Sequence, residues 1–152
     1  MPKLSSCGAI LFTIKGGKVH VILGKESSGW LPFKGGVEEY ETLEEAAIRE
    51  VYEETCGVVK IDKIELGHQF SNKRKKYYIG LVHVDHKVIK NFYKNKKKEK
   101  RKEFLEKHDI KMFPITSVMH EPRVHSLTKK SIRFYKKKLH NIQKNLINHL
   151  II

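Results

Sequence analysis

The chain has little of several residue types that commonly build functional sites. Its 152 residues include two cysteines and one tryptophan. Cys7 and Cys56 lie far apart in sequence and show no metal-ligand spacing, so we expect reduced thiols in a cytoplasmic or otherwise intracellular protein. The apolar run from Ala9 is interrupted at Lys15, which is too short for a signal peptide or a membrane span. We therefore expect one domain over residues 1–152 and no membrane partner.

Acidic residues are also scarce, with 17 against 31 lysines and arginines, and the formal net charge is +14. This excess favours a polyanionic partner, either a small substrate or RNA. However, 26 of the 31 basic residues are lysine and the chain has 15 isoleucines. An AT-rich coding sequence would produce the same bias without any function, so both explanations stay open.

The few acidic residues are concentrated in one segment. Eight of the 17 lie between Glu38 and Glu54, together with a single base, Arg49, which gives a local charge of −7. Like charges along one segment repel each other, so this concentration needs a reason. A solvated acidic helix face is the simplest explanation.

The remaining patterns predict a mixed sheet with packed helices, an α+β fold of the α/β/α sandwich type. Thr42 and Glu45 have the spacing of a capping box, which predicts a helix from Thr42 to about Cys56. An apolar residue recurs every three or four positions after Leu127, which predicts a C-terminal helix from about 126. Strands are predicted at 6–14, 19–25, 59–70, 76–88 and 110–116, with a loop at 26–36 and a solvated loop or helix end at 94–102.

The predicted acidic helix brings three carboxylates together. At 100° per residue, Glu50, Glu53 and Glu54 fall within an arc of about 100°. The opposite side, with Ile48, Val51 and Thr55, is expected to pack on the sheet. A lysine or a divalent metal could neutralise the carboxylates, and oxygen ligands suit Mg²⁺ or Mn²⁺.

The same stretch resembles the signature of the Nudix hydrolases. That signature is a glycine, five residues, a glutamate, seven residues, and then Arg-Glu-apolar-x-Glu-Glu. Here it is Gly35, Glu41 and "REVYEE" from Arg49 to Glu54. The sequence departs from the family at one point, because two residues instead of one separate Glu54 from Gly57. The spacing of the carboxylates is unchanged.

The resemblance implies an enzyme that cleaves a phosphoric anhydride bond with Mg²⁺ or Mn²⁺. Glu50, Glu54 and the carbonyl of Gly35 would be the metal ligands. Glu53 would be the general base, although Glu50 could exchange roles with it. Glu41 and Arg49 would hold the loop and the helix together.

The substrate is predicted less directly. "WLPFKGGVE" and "HEPRVHSLTKKSIRFYKK" resemble the diphosphoinositol polyphosphate phosphohydrolase branch, which also cleaves dinucleoside polyphosphates. Alternatives are an RNA 5′-end pyrophosphohydrolase that removes mRNA caps, and a non-catalytic module that binds RNA or polyphosphate. A highly anionic substrate needs a basic site. The candidate bases for it are Lys34, Arg74, Lys76, Arg101 and Arg123.

Overall fold

The computed structural model of the protein describes residues 3–71 and 75–151, with the side chains described from 6 to 71 and from 75 to 147. The strands are β1 Lys3–Lys15, β2 Lys18–Glu26, β3 Gly29–Leu31, β4 Phe33–Gly35, β5 Leu66–Ser71, β6 Lys75–His83 and β7 Asp109–Pro114. The helices are α1 Leu43–Glu54, α2 Val88–Lys96 and α3 Ser126–Ile151. Short 3₁₀ turns span Lys102–Phe104 and Val118–His120.

The long first strand organises the sheet. β1 and β2 cover the strands predicted at 6–14 and 19–25, and they form an antiparallel hairpin through a turn at Gly16 and Gly17, both with positive φ. β1 also pairs in parallel with β6 and, near its start, antiparallel with β4. β7 pairs with β2, and β5 pairs with β6 at the other side of the sheet. The sheet is therefore mixed, as predicted.

Helices cover both faces of this sheet. Alternate residues of β1 point to opposite faces, since side chains alternate along a strand. Ile10 and Phe12 join a cluster with residues of α3, whereas Ala9 and Leu11 pack with residues of α1 and α2. The α+β fold class and the sandwich arrangement are confirmed. In the described part of the chain, none of the helices has the length and apolar character needed to cross a bilayer.

Several predicted boundaries were wrong. The loop predicted at 26–36 contains the short strands β3 and β4, and the strand predicted from 59 begins only at Leu66. Helix α2 was missed because its lysines hide its apolar residues, although Phe92 is fully buried. The capped helix and the C-terminal helix are confirmed, and they begin after Thr42 and at Ser126.

Candidate active site

The capping box fixes the start of α1. The Thr42 side chain accepts a hydrogen bond from the Glu45 N–H at 3.1 Å, and the Glu45 carboxylate accepts one from the Thr42 N–H at 3.0 Å. Both groups satisfy N–H donors that a helix start leaves unpaired. The axial rotation of α1 then decides where its acidic residues point.

The carboxylates of α1 lie on the side that faces the sheet, not opposite to it. Glu50 and Glu54 are buried on the same side as Ala46, Ala47 and Val51. Val51 packs against Ala9 and Leu11 of the sheet, as predicted. The predicted placement of this packing side opposite to the carboxylates is wrong, because Glu50 and Glu54 are buried on the same side. Small alanine side chains let the helix approach closely enough for the carboxylates to reach the sheet backbone.

Arg49 holds the acidic groups of this region together. Its guanidinium donates to both carboxylate oxygens of Glu41, at 2.7 and 2.9 Å, and to Glu50 Oε1 at 2.8 Å. It also donates to the Gly36 carbonyl at 2.8 Å and makes a longer contact of 3.4 Å with Glu53. The planar fork of arginine suits such a set of acceptors. The predicted link between loop and helix is thus present as a direct contact.

Gly35 lies against the Glu50 carboxylate. A Cβ atom at this position would come within 2.1 Å of Glu50 Oε2 and Cδ. Any side chain would therefore displace the carboxylate. The glycine therefore keeps the backbone of β4 close to the Glu50 carboxylate.

Glu54 is the most deeply buried acid of α1, with 1% of its surface exposed. Its Oε1 atom accepts a 2.6 Å hydrogen bond from the Lys34 N–H and lies 3.8 Å from the Lys107 ammonium. Its Oε2 atom is buried without a hydrogen-bond partner. A buried, unpartnered carboxylate oxygen is costly, and a cation would satisfy it.

Two further glutamates approach Glu54 from other parts of the chain. Carboxylate oxygens of Glu26, Glu54 and Glu106 lie within 4.8 Å of one another. Together with the cradle at Gly35, this set fits a hard divalent cation, because such ions take carboxylate and carbonyl oxygens. Neither Glu26 nor Glu106 belongs to a periodic pattern or a motif, so neither could be predicted from the sequence.

Burial and hydrogen bonding move the pKa values of these carboxyls in different directions. Burial raises the pKa of Glu50, against the opposing effect of Arg49. Burial also raises the pKa of Glu54, against the Lys107 charge. The hydrogen bonds from Arg49 lower the pKa of Glu41. The anionic form of Glu41 is thus favoured, while burial disfavours the charged forms of Glu50 and Glu54, an effect that a bound cation would offset.

The helix exit accommodates the additional residue noted in the sequence. Cys56 and Gly57 both have positive φ, 54° and 75°, and the Gly57 N–H donates to the Tyr52 carbonyl at 2.7 Å. This closes the helix with a left-handed turn in which cysteine occupies a position that usually takes glycine. The Cys56 thiol donates to the Phe104 carbonyl at 3.0 Å. The departure therefore lies beyond Glu54 and leaves the carboxylates in register.

The predicted substrate-binding bases are not all gathered at the carboxylates. Lys34 is adjacent in sequence to Gly35, and burial lowers the pKa of its ammonium, which lies 5.7 Å from the ring centre of Tyr77. Lys76 follows the opposite alternation to Tyr77 on β6, so it faces the α1 side. Arg101 is bound instead to Glu99, at 2.7 Å, and stacks over Phe104. Arg74 lies outside the described residues.

Arg123 lies beside a pocket that the sequence analysis did not anticipate. Its backbone carbonyl accepts a 2.8 Å hydrogen bond from the Trp30 N–H, which attaches the segment before α3 to β3. Gly29 makes this approach possible, because a Cβ there would lie 2.3 Å from the Arg123 oxygen. The pocket has a volume of about 390 Å³ and is lined by Lys25, Glu26, Ser27, Ser28, Gly29, Pro122, Arg123 and Val124.

The sequence profile of the NUDIX domain matches residues 3–135. The chain belongs to the Nudix family. It is accordingly a Nudix hydrolase, an enzyme of the pyrophosphohydrolase class, and its signature glutamates are all present. No curated protein matches the chain.

Solved structures with the same fold differ from this Nudix chain in most of their residues. A mutT/nudix family protein from Listeria innocua has a TM-score of 0.67 at 20% identity, covering 97% of this chain and 98% of that protein. An Ap4A hydrolase from C. elegans has a TM-score of 0.62 at 16% identity, covering 90% and 99%. The NUDIX domain of Shewanella oneidensis NrtR, solved with ADP ribose, has a TM-score of 0.65 at 19% identity, covering 91% and 90%.

Proposed function

We propose that this chain is a Mg²⁺- or Mn²⁺-dependent hydrolase that cleaves a phosphoanhydride bond in a substrate carrying several phosphates. The observation that carries the proposal is the double position of Glu26, which belongs to the carboxylate cluster and also lines the pocket beside Arg123. A phosphate chain held at the cluster can therefore continue directly into the pocket.

The chemistry of the pocket favours phosphates over a nucleobase. Its lining offers two cationic side chains, Lys25 and Arg123, and the hydroxyls of Ser27 and Ser28, but no aromatic ring. Bidentate donors such as arginine suit phosphate oxygens, whereas a base is usually held by stacking. Trp30, which could have stacked on a base, packs edge-on against Phe113 with ring centres 5.1 Å apart.

We rank dinucleoside polyphosphates first and diphosphoinositol polyphosphates second. Both carry several phosphates, which the cationic and hydroxyl side chains of the pocket can bind. The C. elegans Ap4A hydrolase of similar fold supports the first class. The second rests on the two sequence stretches that resemble the diphosphoinositol polyphosphate phosphohydrolase branch.

In the proposed mechanism, different residues of α1 and β4 bind the metal ion, accept a proton and orient the ligands. Glu50, Glu54 and the Gly35 carbonyl would hold the divalent ion, which would supply positive charge to neutralise the phosphate oxygens and polarise the scissile bond. Glu53 takes the proton of the attacking water. Its carboxylate suits this role because its contact with Arg49 is long, at 3.4 Å, and it is less buried than Glu50 or Glu54. Glu41 fixes Arg49, which in turn orients Glu50.

A second candidate is the removal of caps from RNA. The observation that favours it is the exposed basic surface formed by the lysines of 94–102, which could attract a nucleic acid chain. Binding without catalysis is the third outcome, and the intact signature argues against it.

Initial rates with Mg²⁺ on four substrates test these alternatives. The panel is a dinucleoside tetraphosphate, a diphosphoinositol polyphosphate, a capped RNA and ADP-ribose. We expect the highest kcat/KM on the dinucleoside tetraphosphate. A preference for capped RNA would replace this proposal by the second candidate, and no turnover of any substrate would favour a binding module.

Two variants connect the activity to the site. Glu53→Gln should lower kcat at least tenfold without changing the melting temperature, because a general base typically contributes about 10²–10⁴-fold. Arg123→Ala should raise KM on the polyphosphate substrates, while Arg133→Ala, a change at an exposed arginine of α3, should not. If Glu53→Gln retained its activity, Glu50 would be the general base instead.

A further inference from the structure

Lys107 is a lysine with no exposed surface that contacts two of the three acids of the carboxylate cluster. Its ammonium lies 2.9 Å from Glu26 Oε2 and 3.8 Å from Glu54 Oε1. Full burial of a lysine is rare unless the charge is paired, and here it is paired with two acids that also face the candidate metal position. No sequence motif of the family points to this residue.

The fold provides a dedicated path for this side chain. The Lys107 stem crosses β2 at Gly24, where a Cβ would come within 2.6 Å of Cδ and 2.9 Å of Cε. The ammonium lies 5.8 Å from the ring centre of Phe33, on the strand that carries Gly35. The hydrogen bond from the His108 N–H to the Lys25 carbonyl, 2.9 Å long, fixes the neighbouring backbone.

The charges of the cluster explain what such a lysine can do. Glu26, Glu54 and Glu106 carry three negative charges when ionised, and Lys107 carries one positive charge. One divalent ion would neutralise the remaining formal charge of −2. Without the lysine, the three carboxylates would attract a divalent ion more strongly. After one such ion had bound, one negative charge would remain to attract a second ion.

We propose that Lys107 is a built-in cation of the metal centre, which occupies part of the space among Glu26, Glu54 and Glu106 and so limits how many divalent ions this cluster binds and how tightly. It is a positioning residue that acts through the carboxylates. The inference rests on the proposed function, whose metal ligand Glu54 also belongs to this cluster. It adds that the chain itself supplies one of the positive charges of that site.

Calorimetric titration of the protein with Mn²⁺ tests the role of Lys107 independently of catalysis. Lys107→Met should bind Mn²⁺ at least tenfold more tightly than the wild type, or bind one additional ion. A unit charge within about 4 Å of the ligand oxygens repels a divalent ion by more than the equivalent of a tenfold change, even at an effective dielectric constant of about 20. Lys111→Met, an exposed lysine of β7, is the matched control for net charge and should leave binding unchanged.

Gly24→Ala provides a second route if Lys107→Met fails to fold. The new Cβ displaces the lysine stem without altering any carboxylate, so it should shift Mn²⁺ binding in the same direction. Unchanged or weaker binding in the folded variants overturns the inference while leaving the metal site intact. Absence of Mn²⁺ binding in the wild type and in both variants refutes the metal site and this inference with it.

Discussion

Arg49→Met tests whether the Arg49 network stabilises the fold as well as the site. The change removes four contacts of 2.9 Å or less, two to Glu41, one to Glu50 and one to the Gly36 carbonyl. Hydrogen bonds to charged groups contribute about 1.5–3 kcal/mol each, but they are not additive. The Arg49 side chain is 22% exposed, so water screens part of this energy and can rehydrate Glu41.

We therefore expect a loss of about 3 kcal/mol, at the lower end of the range for breaking a buried ion pair. For a chain of this size each kcal/mol lowers the melting temperature by about 2–4 °C, so the melting temperature should fall by about 6–12 °C. Arg49→Lys keeps the positive charge but loses the planar guanidinium, so the melting temperature of this variant should fall by roughly half as much. Calorimetry at pH 7 measures both, with Arg133→Met as a control for the same substitution at an exposed site.

The pH dependence gives an independent check on this explanation. The Arg49 hydrogen bonds lower the pKa of Glu41 below its ordinary value of 4.5. A lowered carboxyl pKa contributes stability that is present above the ordinary value and is lost as pH falls through the folded-state pKa. The difference between wild type and Arg49→Met should therefore shrink below about pH 4.5. A difference of less than 2 °C at pH 7, or one that stays constant down to pH 3, would refute the reasoning.

Three further predictions concern the metal site and the charge of the surface. Gly35→Ala should weaken Mn²⁺ binding and lower kcat at least tenfold, because the new Cβ meets the Glu50 carboxylate at 2.1 Å; unchanged binding would contradict this contact. Mn²⁺ affinity should rise as the pH increases above the ordinary carboxyl value of 4.5, because burial raises the pKa values of Glu50 and Glu54 and protons compete with the metal below them; a pH-independent affinity would exclude these carboxyls as ligands. Replacing the lysines of 94–102 by glutamine should raise KM at low ionic strength with little change in kcat, since exposed charges attract an anionic substrate over long distances and salt screens this attraction. A fall in kcat alone would instead indicate that this segment contributes to the active site.

The parts of the site that could be predicted from sequence are those built from neighbours along the chain. The capping box and the arc of glutamates lie within one helix, and the family spacing fixed the contact between Glu41 and Arg49 across eight residues. Helical geometry alone relates the positions within α1, so these need no knowledge of the sheet, whereas Glu41 precedes the helix and its contact with Arg49 is implied by the family signature. Helical geometry did not give the rotation of α1, which depends on Gly35 and on the alanines that let the helix approach.

Long-range pairing decides the other half of the site. Lys107 meets Glu54 across 53 positions of sequence, and it does so because β7 pairs with β2 in the register that sets Gly24 opposite Ile110. A shift of one residue would turn the neighbouring side chains to the other face of the sheet. In a chain with 26 lysines, only that register distinguishes Lys107 from the solvated lysines around it. Two kinds of positive charge therefore contact the acidic residues of α1. Arg49 lies within the helix and is specified by the motif, whereas Lys107 is distant in sequence and reaches Glu54 only in the folded sheet.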